Sequence, residues 1–403
     1  MKVLFVAPEN PYERDGGANL RLRPFVEVVA GAGESHLLTA GQRPGKRGPS
    51  GRFRSSETVR ISPMRMPVRL LQSLLNLEPD IAFRSRTTQL ATGLHRKLVR
   101  ERFDVVHLAG LQLAYLVRPF LDTVGGVGSR PALVLDELNA EYVVHERLAR
   151  AASGSVTPLR REYSLAQMAL LKRYERCLLP ECDLVICPAE ADRESLLGLA
   201  PGTTLRVVAS GVDVEALAKV PAPPREPVVL FVGDLNYRPN REAVAWLLER
   251  VAPGVRSQVE EVRFVIVGAG PRPGLTDGSG VDFMGYVDDL CPHLAAARVV
   301  VAPMLSGGGI KLKVLEGMAA GRAMVTTPVG AEGITGLNED AIMIAEDAGA
   351  FAEAVVKVLQ DDELAVGMGE RAREFARKNF SAGKVGDRYL DVIRVARSEL
   401  ADA

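Results

Sequence analysis

Short apolar runs alternate with longer amphipathic stretches along almost the whole chain, and this alternation predicts the architecture. In the first half, residues 3–7, 36–39, 105–108, 132–136, 184–187 and 205–208 read as strands, with helical periodicity over 18–30, 81–100 and 159–179. In the second half the expected strands are 228–233, 263–267, 281–284, 299–302 and 323–326. Helical patterns there cover 241–251, 287–296, 311–320, 348–359 and 363–378. The strands are nearly continuous in apolar residues, as parallel strands covered on both faces must be. Strand–helix alternation of this kind predicts α/β halves built on doubly wound parallel sheets.

The alternation pauses once. Residues 220–227 contain four prolines (Pro221, Pro223, Pro224, Pro227), which fit neither a helix interior nor a central strand. This segment is the expected linker between an N-terminal domain, 1–219, and a C-terminal domain, 228–383. The last helical run, 384–400, follows completion of the second half and is free to cross back onto the first. Ligands of open parallel sheets bind outside the carboxyl ends of the strands, so two such halves are expected to face a cleft.

Composition narrows the class. The chain has 403 residues, more than one ordinary core accommodates, with 47% apolar and 25% charged residues. Lys+Arg and Asp+Glu balance at 50 each, which argues against nucleic acid as a partner. The balance breaks between Arg43 and Arg69, where eight basic residues (Arg43, Lys46, Arg47, Arg52, Arg54, Arg60, Arg65, Arg69) meet one acid, Glu57. That stretch invites contact with an anionic membrane surface or a phosphorylated acceptor. No apolar run approaches a membrane span, and the N-terminal run is too short for a signal peptide. Cys177, Cys182, Cys187 and Cys291 form no CxxC pair and read as buried reduced thiols, so the expected location is cytoplasmic, with peripheral membrane association as the extension of the basic stretch. Neither the histidines nor the cysteines have metal-ligand spacing, and no protein-held metal is expected.

The most informative stretch begins at Ser306, Gly307, Gly308, Gly309 and Ile310, between an expected strand and an expected helix. Consecutive glycines there uncover backbone N–H groups at the positive end of a helix dipole. Lys311 and Lys313 fall in the expected first turns, where cations oppose the dipole unless an anion binds beside them. On a helical period Gly309, Lys313, Glu316 and Ala320 share one face. That face suits a ligand with a phosphate end and a hydroxyl-bearing sugar. Other strand ends in the second half carry Arg238, within reach of a phosphate, and Asn240, a cap or a ligand contact. Residues 267–270 make a tight glycine turn without GxGxxG spacing, and Tyr286 and Val287 lie on a loop after an expected strand. In the first half, Gly16 and Gly17 follow the first strand and precede a helix. His107 falls at an expected strand end as a weak candidate for chemistry. Asp136, Asn139 and Glu141 follow the fourth strand, one of them expected to meet an acceptor and the others to cap the next helix.

These residues carry a resemblance. The run 307–321 followed by 324–333 is similar to the donor-site signature of family-four (group 1) retaining glycosyltransferases with the GT-B fold. Residues 232–243, 267–270 and 285–289 follow in the family's order and spacing, and the Gly16–Gly17 loop fits as well. The resemblance implies two Rossmann-like domains, a nucleoside-diphosphate sugar as co-substrate with no other cofactor, a hydroxyl acceptor, and metal-independent hexosyl transfer with retention. By position, Lys313 and the amides of Ser306, Gly307, Gly308, Gly309 and Ile310 would hold the diphosphate, with Arg238 and His107 as further catalytic candidates. Glu316 would bind the ribose, Tyr286 and Val287 the base, and Asn240 the donor. Gly16 and Gly17 would approach the phosphate, while Asn139 and Glu141 would lie on the acceptor side. Three positions depart from the family pattern: Gly308 replaces the first of two glutamates eight positions apart, Asp234 replaces an arginine, and Leu138 replaces a histidine. A non-hydrolysing sugar-nucleotide epimerase, or a nucleotide-sugar-binding protein with little catalysis, shares the same architecture.

Overall fold

The computed structural model describes residues 1–13, 16–41, 51–60, 64–125, 130–150, 158–272, 280–337 and 340–402. Asp15 of the first glycine loop and Arg43, Lys46 and Arg47 of the basic stretch lie outside the described residues. The chain divides into two compact units, one of 1–211 with 383–403 and one of 212–382.

The first unit contains the strands β1 (Lys2–Ala7), β2 (Glu34–Gly41), β3 (Ser55–Arg60), β4 (Val105–Ala109), β5 (Ala132–Asp136), β6 (Leu184–Cys187) and β7 (Leu205–Val207). They are all parallel, in the order β3-β2-β1-β4-β5-β6-β7. Its helices are α1 (Gly17–Ala32), α2 (Met66–Asn76), α3 (Thr88–Arg100), α4 (Val117–Val124), α5 (Glu141–Arg150), α6 (Pro158–Leu178) and α7 (Glu190–Leu199). In the second unit a short α8 (Val214–Leu217) precedes β8 (Val228–Val232), β9 (Arg263–Val267), β10 (Val281–Gly285), β11 (Val299–Ala302), β12 (Ala323–Thr326) and β13 (Met343–Ile344). These too are parallel, in the order β10-β9-β8-β11-β12-β13. Here α9 (Arg238–Trp246) runs through a wider π-helical turn into α10 (Ala252–Arg256). α11 (Cys291–Ala296), α12 (Leu312–Ala319), α13 (Pro328–Ala331), α14 (Ala348–Gln360) and α15 (Asp362–Asn379) follow. The last helix, α16 (Ala382–Asp402), returns the chain to the first unit.

Strand order reverses between β1 and β4 in one unit and between β8 and β11 in the other, and these switch points are where parallel sheets bind ligands. Because side chains alternate across a strand, β1 sends Val3 and Phe5 to the layer under α1 and α16, and Leu4 and Val6 to the opposite layer. Tyr389 of α16 stacks on Phe25 with ring centroids 4.2 Å apart, and its hydroxyl lies 3.0 Å from His107 Nδ1.

The boundary between the units differs from the expected one. Residues 220–227 belong to the second unit, and the division falls at 211/212 and 382/383. Prolines remove backbone donors but leave carbonyls, and three arginines of the second unit take them up. Arg322 donates to Pro221 O, Arg373 to Val220 O at 3.1 Å, and Arg298 to Pro224 O at 3.0 Å. A parallel bridge between Val212 and Ser381 marks the edge of the unit. Among the cysteines, Cys182 and Cys187 are buried and Cys291 is partly so, but Cys177 is exposed.

Arg21 of α1 and Asp136 at the end of β5 form a fully buried pair. The guanidinium donates from Nη2 to Oδ1 at 2.7 Å and from Nε to both carboxylate oxygens, and Nη1 reaches Val208 O at 2.8 Å. Removing one partner of a buried pair leaves the other charge uncompensated. Arg21→Ala is therefore expected to lower the unfolding free energy of the first unit by about 3–5 kcal/mol, measured by urea titration with far-UV circular dichroism.

Candidate active site

The second unit's switch point is built by the loop after β8 and the loop after β11. At the mouth of β8 stands Gly233. A Cβ there would lie 2.9 Å from Lys313 Nζ and 2.8 Å from Asn240 Nδ2, so glycine is what admits both groups. Lys313, in the first turn of α12, keeps part of its stem exposed but directs its ammonium inward. Nζ donates to Asn240 Oδ1 at 2.5 Å and sits 4.5 Å from the centroid of the buried Phe231 ring. Burial, and next the neighbouring Lys311, lower its pKa to about 7, partly offset by Glu316 one turn on. Asn240 is not a helix cap. It lies inside α9, where Nδ2 donates to Asp234 O at 2.9 Å while Oδ1 accepts from the ammonium.

The glycine loop is shaped by backbone demands as well as by access. Gly307 (φ 116°) and Gly309 (φ 62°) occupy conformations that side chains resist. Ser306 is fully buried and donates from Oγ to Glu242 Oε2 at 3.0 Å; the other oxygen of Glu242 accepts from Arg238 Nε at 2.6 Å. Glu242 thus ties the start of α9 to the glycine loop. Gly308 is partly exposed and Ile310 half-buried. The helix begins at Leu312, later than expected. Lys311 is its cap residue, in extended backbone, and folds back so that Nζ donates to Gly309 O at 2.7 Å and lies 3.7 Å from Glu332. No side chain caps α12 or α9, and the Lys313–Asn240 pair joins the first turn of one helix to the first turn of the other.

The glycine turn after β9 supports this site mechanically. A Cβ at Gly268 would lie 1.9 Å from Gly233 O, and one at Gly270 would lie 2.6 Å from Asn236 N. Gly233 N donates to Val267 O at 2.8 Å and Leu235 N to Ala269 O at 2.6 Å, so the turn clamps the β8 loop from behind. Tyr286 and Val287 follow β10, two strands from β8, with Tyr286 about half exposed beyond Gly285 (φ 71°).

In the first unit the candidates are more scattered. Gly16 precedes α1 in extended backbone, no side chain caps the helix, and a Cβ at Gly16 would meet nothing within 4 Å; Gly17 opens the helix, exposed. His107 is not at a strand end. It lies inside β4, paired beside Phe5 and Val134, with no exposed surface, and burial lowers its pKa to about 4. It packs in the core with Nδ1 against the Tyr389 hydroxyl and Nε2 3.9 Å from Asp136 Oδ2. Asn139 Nδ2 donates to Glu141 Oε1 at 2.7 Å. Glu141 does not cap α5 but begins it, and Asp136 is consumed by Arg21.

Two residues absent from the sequence reading complete that edge. Glu175 of α6 accepts from Glu141 N at 3.1 Å, and Asp192 of α7 accepts from Ala140 N at 3.0 Å, so α5 is capped by carboxylates from other helices. Beside them Glu137 is fully buried with neither oxygen hydrogen-bonded. Burial, then Glu175, push its carboxyl well above the ordinary range, and Glu175 is raised in the same way by burial and Glu141. A sequence shows acids at 137 and 175, but their meeting is a matter of helix packing.

Among the described residues no group of three or more His, Cys, Asp or Glu side chains is placed to hold a metal ion, and no helix is long and apolar enough to cross a membrane.

Residues 226–361, which include both loops of the β8/β11 site, match the model of the family Glycosyl transferases group 1. The phosphatidyl-myo-inositol mannosyltransferase of Mycolicibacterium smegmatis is 33% identical over 188 residues, covering 43% of this chain and 48% of that one. The lipopolysaccharide core biosynthesis glycosyltransferase LpsE of Rhizobium meliloti is 28% identical over 52% of this chain and 64% of its own. The chain spans about half the length of the curated relatives it matches. In fold it resembles sucrose-phosphate synthase of Thermosynechococcus elongatus, with a TM-score of 0.70 at 18% identity over 100% of both chains. It also resembles Anabaena HepE in complex with UDP and glucose, with a TM-score of 0.64 at 13% identity over 98% of this chain and 100% of that one. The fold is that of the GT-B glycosyltransferases, and the match to the group 1 glycosyl transferase model lies within the second unit.

The buried acids make a test. Glu137 keeps its proton in the folded state at pH values where the unfolded chain has lost it. Its contribution is complete below the unfolded carboxyl pKa and is lost as pH rises towards the folded one, at about 1.4 kcal/mol per pH unit per group while it titrates. Urea unfolding at pH 5 and pH 8 is expected to show a smaller loss of stability for Glu137→Gln than for the parent.

Proposed function

We propose that this protein is a retaining glycosyltransferase that moves a hexosyl unit from a nucleoside-diphosphate sugar to a hydroxyl acceptor, a glycan, glycolipid or small molecule. The observation that carries the reading is the Lys313 ammonium, held at the switch point between the uncapped N-termini of α9 and α12. When the glycosidic bond breaks, charge develops on the departing diphosphate, and fixed donors and cations aimed at that charge are the effective catalytic response. In this reading Lys313 and the amides from Ser306 to Ile310 bind the diphosphate, Arg238 supports them from the first turn of α9, and the chain supplies these charges without a resident metal. Glu316 meets the ribose hydroxyls, and Tyr286 and Val287 face the base. Gly308 leaves the sugar hydroxyls to backbone groups, so sugar choice is set elsewhere than in relatives with a glutamate there. Asn139 and Glu141 belong to the acceptor edge of the first unit, and Gly16 and Gly17 to the phosphate. The UDP and glucose bound to HepE, and the mannosyl transfer for which the mycobacterial relatives are named, support the donor class and leave base and sugar open.

A thermal-shift panel of UDP, GDP, ADP and dTDP is expected to single out one diphosphate, because a ligand that binds only the folded state raises its stability. Labelled donor with candidate acceptors then separates transfer from epimerised donor and from binding alone. Lys313→Ala and Glu316→Ala are each expected to cost about 1.5–3 kcal/mol of binding, or roughly 10- to 100-fold in Kd. Unchanged affinity in both folded variants removes the donor-site assignment.

The ammonium also fixes a pH signature. In the free protein it titrates at about 7. A bound diphosphate favours the charged form, so binding at pH 8 takes up a proton, and affinity falls as pH rises above 7, by at most tenfold per unit. Calorimetry in buffers of different ionisation enthalpy is expected to register this uptake in the parent and not in Lys313→Ala.

A further inference from the structure

Helix α2 directs two of its polar residues into the protein: Arg69 Nε donates to Asp80 Oδ1 at 2.5 Å, Ser73 Oγ donates to Glu78 O at 2.6 Å, and Gln167 Nε2 of α6 donates to Ser73 Oγ at 3.3 Å, while Asn76 pairs with Gln72 at the surface. Ser73 is the helix's one buried residue. Apart from the half-buried Leu70, its apolar residues face outward. Met66, Val68, Leu71, Leu74 and Leu75 are each 47–71% exposed, and Val68, Leu71 and Leu75 share one stripe by their 3- and 4-residue spacing. Leu77 then closes the helix with φ 51°, the one non-glycine residue with positive φ among the described residues, and is 58% exposed. Glycine or asparagine normally takes that left-handed position, and a leucine there is strained. Folding of this unit explains neither the outward leucines nor a leucine at the strained cap.

Charge identifies what the face meets. Arg65, at the cap position before α2, is exposed, as are Arg52, Arg54 and Arg60 in and beside the edge strand β3. Residues 65–77 contain no acid. The acids nearby are engaged: Glu57 by Arg96 and Lys97, Glu27 by Arg52 at 3.9 Å, and Asp80 by Arg69. A second copy of the chain would bring this basic face onto its own like charges. An anionic bilayer offers the complement to both features, an apolar layer for the leucines and a negative headgroup surface for the arginines.

We propose that α2 and the arginines of β3 and residue 65 are a docking device for an anionic lipid surface, with α2 lying in the plane of the interface. The device is independent of the donor site and of the reaction assigned to it. The test is sedimentation of the full chain with phosphatidylcholine vesicles with and without phosphatidylglycerol, at low and high salt. Binding is expected with anionic vesicles, weakened by salt. Leu71→Gln with Leu75→Gln is expected to lower vesicle partition at least tenfold. Arg60→Gln with Arg65→Gln is expected to weaken binding and flatten its salt dependence, with nucleoside-diphosphate binding and melting temperature unchanged in both pairs. Val68→Trp reports depth directly, with a blue-shifted emission quenched by brominated lipid on docking. Failure of the parent chain to sediment with either vesicle overturns the proposal, as does equal sedimentation of the leucine pair. A concentration-dependent dimer that the leucine pair abolishes, without vesicle binding, assigns the face to a second copy instead.

Discussion

An ammonium ion held against an aromatic ring at the end of a parallel strand is the constraint around which the second unit is arranged. Water solvates a lysine well, and taking that shell away is costly unless other groups replace it. Here Asn240 supplies an oxygen and Phe231 a π face, and Gly233 withdraws its side chain so that the group fits. The glycines after β9 exist to let one backbone press on another, which keeps the β8 loop still. Glu242 then fixes Arg238 and Ser306 together. An ammonium with a lowered pKa and uncapped helix ends around it is an unfinished electrostatic site, and a diphosphate is the kind of anion that completes it.

The first unit solves a different electrostatic problem. It buries acids: Asp136 is paired with Arg21, while the Glu137 carboxyl has no hydrogen-bond partner and is pushed well above the ordinary range by burial and then by Glu175. Glu175 and Asp192 spend part of their charge on the backbone of α5, where a helix dipole favours them. Glu141 rests on this layer directly, its backbone N–H bound to Glu175, and Asn139 is held in turn by the Glu141 carboxylate. His107, enclosed between aromatic rings, belongs to the packing of α16.

Both units keep their switch points in the places the doubly wound topology requires, and the second carries the group 1 glycosyl transferase sequence across its own. Three positions depart from the family pattern, Asp234 and Gly308 on loops of the second unit and Leu138 after β5 of the first, and a shared fold leaves the choice of substrate to particular residues such as these.

Much of this was determined by the chain order itself. Near-continuous apolar runs such as 132–136 and 299–302 can only be strands buried on both sides, and the structure has strands with those bounds. The glycines at 307–309 marked the turn between β11 and α12, where Gly307 and Gly309 take positive φ, but the structure buries much of that loop and starts the helix at Leu312. Strand β3 escaped notice, since an edge strand of Ser, Glu, Thr and Arg buries too little to need an apolar pattern. The prolines at 220–227 marked a break in regular structure, but which unit holds them was decided by three arginines distant in sequence. Only the tertiary structure turned Asn240 from a cap into the partner of Lys313, enclosed His107, and turned the leucines of α2 outward. Local pattern reflects what each residue requires of its surroundings; which neighbour meets that requirement is settled by packing between segments far apart in the chain.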